Sequence, residues 1–188
     1  MPERLKYPRA VLLRDGSPAR VRLLDPGDRE AILEGFHALS DESVSRRFFH
    51  EKKTISEAEL DDASQPDGVD HLAVLLEVPQ AAGGSCQLVA IARCFRDLRD
   101  AELAEVAFVT RDEWHGKGAG SHVIRALAEL AWDAGIRRWF ASILTNNVGA
   151  RRLLDRVGRV TEEGPADAGV REFIYELRPP ISVDPPQG

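Results

Sequence analysis

The chain has 188 residues, 31 acidic against 25 Lys and Arg, a net charge of −6, and 43% hydrophobic residues. That balance suits one globular domain with a real core and excludes a disordered chain, while the acidic excess argues against non-specific nucleic-acid binding. No apolar run reaches the roughly 20 residues of a membrane helix, and the charged start Met1–Lys6 lacks the apolar segment of a signal peptide, so the expectation is a cytoplasmic protein with neither a nucleic-acid nor a membrane partner.

Ala10–Leu13 and the alternating segment Ala19–Leu24 flank Asp15-Gly16-Ser17-Pro18 and predict a β-hairpin. Asp25-Pro26-Gly27-Asp28 breaks the second strand and starts a helix over about 29–39, with Ile32, Leu33 and Phe36 on one face. A short helix is expected over 43–49. Another follows Ser56, where Ser56-Glu57-Ala58-Glu59 has the form of a capping box.

From His71 the period changes to that of strands. His71–Val78 and Gln87–Phe95 form an expected antiparallel pair around a loop over 79–85. Cys86 and Cys94 read as same-face strand residues, not as a disulfide or metal pair. Leu103–Val109 is apolar on both faces apart from Glu105, as in a central strand. A helix over 119–134, a strand over 138–144, a helix over 148–157 and a final strand over 171–177 complete the core. Antiparallel strands followed by βαβα imply one mixed sheet with helices on both faces, an α+β fold. Residues 1–178 are expected to form a single domain, with a proline-rich, frayed tail over 179–188.

The sharpest chemical feature is His115-Gly116-Lys117-Gly118-Ala119-Gly120, between an apolar strand and an amphipathic helix. Backbone N–H groups and the helix dipole at such a junction can receive an anion. A P-loop would need Gly-Lys-Ser/Thr after an earlier glycine, and Gly116-Lys117 is followed by Gly118. A dinucleotide fingerprint would need Gly-x-Gly-x-x-Gly near the first strand of a parallel sheet, and the spacing here is Gly-x-Gly-x-Gly. A turn without any ligand remains an alternative on the loop alone.

The segment 104–159 resembles the GNAT acetyltransferase superfamily, whose signature is Gln/Arg-x-x-Gly-x-Gly/Ala after an apolar strand, then a strand and an Asn-initiated helix. Here these read His115–Gly120, Trp139–Leu144 and Asn147. The resemblance implies a central, mostly antiparallel sheet with a V-shaped splay between its middle strands. It also implies acetyl-CoA as co-substrate, its pyrophosphate on the backbone of residues 115–121 (His115, Gly116, Lys117, Gly118, Ala119, Gly120, Ser121). Phe108 and Val109 would pair with the pantetheine arm, and Asn147 would contact the arm or the acetyl region. His115 and Arg159 depart from the family's Gln/Arg and Phe.

Transfer of an acetyl group to an amine needs a neutral nucleophile, and a free lysine has a pKa near 10.4. Glu105, expected to be buried in an apolar row with a raised pKa, is the candidate general base. The alternative is an acid that pairs with an arginine such as Arg93. Ala104-Glu105-Val106-Ala107 resembles the motif of bacterial protein lysine acetyltransferases, in which the Glu is the base. Leu13–Gly16, Arg22–Leu24, Leu39–Ser43 and Arg47–Phe49 are similar to their N-terminal part, with Ser45 where tyrosine is common. Leu154 stands where many GNAT enzymes have a tyrosine acid.

The resemblance therefore implies an acyl-CoA-dependent N-acetyltransferase acting on a protein lysine, or on a small-molecule amine as the second choice. An inactive acyl-CoA-binding module is the reading from another class. A monomer or homodimer without a metal, and without an attached nucleotide-binding domain, is expected.

Overall fold

The computed structural model describes residues 7–80 and 84–180. It contains one eight-stranded sheet: β1 (Arg9–Leu12), β2 (Pro18–Leu23), β3 (His71–Pro79), β4 (Cys86–Arg96), β5 (Leu103–Thr110), β6 (Arg138–Leu144), β7 (Gly158–Asp167) and β8 (Val170–Leu177). The spatial order is β1-β2-β3-β4-β5-β6-β8-β7. Only β5 and β6 run parallel, and every other neighbouring pair is antiparallel. The α+β mixed sheet is therefore as expected, and its one parallel pair is spanned by the helix α4 (Ala119–Asp133).

The helices α1 (Arg29–His37), α2 (Asp41–Phe48) and α3 (Glu57–Ser64) lie between β2 and β3 in sequence, and α5 (Val148–Leu154) follows β6. The α3 capping box forms in full, with Ser56 and Glu59 satisfying each other's backbone N–H. Two apolar clusters occupy opposite faces of the sheet. Val123, Ile124, Leu127 and Ala131 of α4 pack with Val74, Leu76 and Ala92. Ile32, Leu60 and Ala63 of α1 and α3 pack with Ala73 and Leu75. β3 is consequently buried at eight of its nine residues, which explains its near-continuous hydrophobicity.

Three expectations need correction. The pairing of β3 with β4 shifts by one residue between Leu76 and Glu77, an extra residue on the β4 side. This bulge reverses the alternation, so Cys86 is exposed while Cys94 is buried, and the two do not share a face. The helix α5 ends at Leu154, earlier than expected. β7 was not expected: its Glu162-Glu163-Gly164-Pro165 run is mostly exposed and lacks apolar alternation, as an edge strand allows. The expected loop over 79–85 and the frayed tail fall partly on residues outside those described.

Candidate active site

The strands β5 and β6 pair at only three positions, Leu103↔Arg138, Ala104↔Trp139 and Glu105↔Phe140. Beyond Glu105 they diverge, while β5 stays paired to β4 as far as Thr110 and β6 stays paired to β8 as far as Leu144. The sheet therefore opens as a V with its fork at Glu105. The opened edges, Val106–Thr110 and Ala141–Ile143, line a groove of about 480 Å³. Main-chain groups freed from a ladder in this way need partners, and an extended ligand with amide groups can supply them.

The glycine loop closes one end of the groove. Gly116 and Gly118 have φ of +75° and +97°, and Gly118 is the residue that starts α4. A side chain at either would be strained in that backbone conformation. Gly120 has a different reason. A Cβ there would lie 3.0 Å from Leu153 Cδ1 and 3.2 Å from Thr110 Oγ1, so the glycine lets α4 pack against α5 and the end of β5. Gly116, Gly118, Gly120 and Ser121 line the groove. Ala119 is fully buried and does not line the groove.

The other loop residues are held in place by local bonds. His115 Nε2–H donates to the Thr110 carbonyl at 2.9 Å, tying the loop to the end of β5. Lys117 was expected to add a cation to the loop centre. Its Nζ lies 3.3 Å from the Asp15 carboxylate and 4.3 Å from the centre of the Trp114 ring, turned toward the β1–β2 hairpin. Among the arginines that line the groove, Arg14 is the one hydrogen-bonded to the loop. Its backbone N–H donates to Lys117 O at 2.8 Å and its Nη1 to Gly116 O at 3.3 Å, which lays the side chain along the loop. A residue one hundred positions away in sequence carried no local signal for this role.

Asn147 caps α5, its Oδ1 accepting from the Ala150 N–H at 3.1 Å, and the residue faces the groove. Phe108 and Val109 lie on the opened edge of β5. Leu154 is fully buried, and no tyrosine lines the groove among the described residues.

Glu105 departs from expectation in its surroundings. It is exposed, although it is the last residue of β5 paired with β6, opposite Phe140. Burial is therefore not what would make it a base. Its charged neighbours are Arg47 from the last turn of α2 and Arg93 from β4. Burial, with Arg93 adding to it, pushes the Arg47 guanidinium down to about 10, while Glu105 acts in the opposite direction. Burial lowers Arg93 as well, against the attraction of Asp62 and Glu105. Both remain cationic at neutral pH.

One acid joins the two ends of the site. Asp112, in the turn after β5, accepts from the Ser40 N–H at 3.0 Å, Ser40 Oγ at 2.7 Å and Ser43 Oγ at 2.8 Å. These bonds fasten α2 to the segment that leads into the glycine loop. Burial works upward on the Asp112 carboxyl, but the serine hydrogen bonds outweigh it and hold it below the usual carboxylate range.

Among the described residues no cluster of three or more metal-ligating side chains occurs, and no helix is long and apolar enough to cross a membrane.

Comparison with known proteins agrees with this geometry. A family model described as an acetyltransferase (GNAT) domain matches residues 20–160. The acetyltransferase Pat of Mycolicibacterium smegmatis is 34% identical over 178 residues, 95% of this chain and 50% of that protein, so the chain spans about half the length of this curated relative. The crystal structure of the GNAT domain of S. lividans PAT is 28% identical, with a TM-score of 0.77 over 90% of this chain and 97% of that one. A structure of yncA from Salmonella typhimurium with its cofactor acetyl-CoA, 16% identical, has a TM-score of 0.66 over 90% of this chain and 99% of that one, a likeness of fold.

Proposed function

The chain belongs to the GNAT acetyltransferase family, and on that premise we propose that it transfers the acetyl group of acetyl-CoA to a primary amine, with a protein lysine as acceptor and Glu105 as the base. The observation that carries the reading is the V between β5 and β6, which opens at Glu105 and leads to the glycine loop.

The residues present fit the coenzyme. The loop 116–121 offers backbone N–H groups at the start of α4 and Arg14 adds a fixed positive charge, a donor set suited to a pyrophosphate. The edge Val106–Val109 offers extended main chain to an arm that carries amides. When bound, the coenzyme supplies an acetyl group activated as a thioester.

Everything else is done by this chain. Glu105 takes the proton from the incoming amine, directly or through water, which its exposure admits. The amine forms the new C–N bond at the acetyl carbon as the C–S bond breaks, and the electron pair leaves with sulfur. A backbone N–H of the opened edge near Val109 faces the negative charge that develops on the acetyl oxygen. Leu154 provides no proton for the departing thiolate, which is a stable enough anion to leave without one.

The resemblance of Ala104-Glu105-Val106-Ala107 and of the N-terminal segments to bacterial protein lysine acetyltransferases supports a protein acceptor. A thiol-release assay with acetyl-CoA and lysine peptides, against small amines, tests the proposal. Transfer to lysine with an acid limb in the pH–rate profile that Glu105→Gln removes is expected. An unchanged profile in that variant would remove Glu105 from the role.

A further inference from the structure

Glu105 shares its sheet face with two arginines that have no evident structural duty. In the β4–β5 register Phe95 lies opposite Glu105 and Arg93 opposite Ala107, so Arg93 is the diagonal neighbour of Glu105 on the same face. Arg47 reaches this face from α2 and lines both the main groove and a small apolar pocket beside it, of about 70 Å³, which Arg93 also lines. The guanidinium of Arg47 lies 4.9 Å from the centre of the Phe48 ring and that of Arg93 lies 5.3 Å from that of Phe95.

The nearby arginines differ. Arg46, Arg96 and Arg111 are each paired with an acid, Glu42, Asp70 and Glu113. Among the described residues Arg47 and Arg93 have no ion-pair partner within 4 Å, and Arg93 Nη1 is buried without a hydrogen bond. Two sheltered cations placed side by side repel each other, and each has lost water with acids only at longer range, Glu105 toward both and Asp62 toward Arg93. A folded chain retains such an arrangement at a cost that an anionic ligand removes. Glu105 offsets part of this charge, yet among the described residues no carboxylate lies within 4 Å of either guanidinium and Arg93 Nη1 has no hydrogen-bond partner.

We propose that Arg47 and Arg93 form a carboxylate-binding subsite beside Glu105, so that the preferred acceptor carries a carboxylate close to the amine that is acetylated. This rests on the transfer reading above and specifies its substrate. The carboxylate has two possible sources: an Asp or Glu near the target lysine of a protein, or the α-carboxylate of a free amino acid. The small apolar pocket receives the uncharged part of the same acceptor. With the carboxylate held by the two guanidinium groups, the amine is left facing Glu105 and the fork of the V.

The test is thiol release from acetyl-CoA with two matched acceptor sets. One set is lysine peptides with Asp or Glu beside the lysine against the same peptides with Asn or Gln. The other is free α-amino acids against their α-amides. A preference of about tenfold or more in kcat/KM for the carboxylate member is expected in one set, the size of a charge-assisted hydrogen bond, and the set that shows it identifies the source. Arg47→Gln should reduce that preference to less than about threefold, through KM more than kcat, and Arg47→Lys should restore part of it. Arg93→Gln provides a second variant should Arg47→Gln fail to fold, which circular dichroism reads. Thiol release without preference in either set, or an equal loss on charged and neutral acceptors in both variants, overturns the subsite and leaves the transfer reading standing. Absence of thiol release with every acceptor overturns both.

Discussion

The two halves of the groove are made of different material. The donor half, β5, the glycine loop, α4, β6 and the start of α5, presents main chain: freed strand edges, glycines at positive φ and a helix start. The acceptor half, α2 and β4 with Glu105 at the fork of β5, presents side chains: Glu105, Arg47 and Arg93. Main-chain recognition suits a ligand that is always the same, whereas side chains can be exchanged as the acceptor changes. Asp112 is the seam, bonded to α2 while belonging to the turn that enters the glycine loop.

Five substitutions should act differently on the two halves. Glu105→Gln should act almost wholly on the acceptor half, lowering kcat about 10²-fold or more as removal of a general base does, with acetyl-CoA affinity by calorimetry as the companion measurement. A loss confined to acetyl-CoA affinity would place Glu105 in the donor half instead. Gly120→Ala should strike the donor half, since its Cβ meets Leu153 at 3.0 Å and Thr110 at 3.2 Å. Overpacking of that kind costs about 1–3 kcal/mol, visible in a urea midpoint. Gly116→Ala meets no atom within 4 Å but keeps φ at +75°, so its cost of about 1–2 kcal/mol should come from backbone strain alone.

Arg14→Ala should weaken acetyl-CoA binding about tenfold and flatten its salt dependence, since one charge-assisted contact is lost. The smallest effect belongs to the seam. Asp112→Asn should loosen α2, read as faster amide exchange at residues 43–48, with a change of about threefold or less in either KM. Because hydrogen bonds lower the Asp112 pKa, the stability it contributes is fully present above its unfolded value near 3.9 and is lost as pH falls through the lower folded value. Protection of α2 should therefore hold from pH 8 to about 5 in the native chain and fail only in stronger acid.

The donor half was legible in sequence because backbone devices leave compositional marks. Glycines at fixed spacing, an apolar strand before them and Asn147 after them locate the loop, the groove edge and the α5 cap. What Gly120 does was not legible, since its need is a contact with Leu153 that only packing reveals. The acceptor half gave less. Alternation put Glu105 on the right strand but implied burial, because what covers that sheet face depends on segments distant in sequence. The roles of Arg14, Arg47 and Arg93 depend on juxtapositions between distant segments, and isolated arginines in a charged sequence look alike. The edge strand β7 escaped for the opposite reason, having almost no apolar face to display.

A crystal structure of the chain with coenzyme A would show whether the V between β5 and β6 holds the donor. The pantetheine arm should be hydrogen-bonded along Val106–Val109 inside the V, with the pyrophosphate on the N–H groups of residues 116–121 beside Arg14 and the sulfur within reach of the fork at Glu105. Coenzyme bound on another face, or an arm that bypasses the opened edge of β5, would contradict that placement.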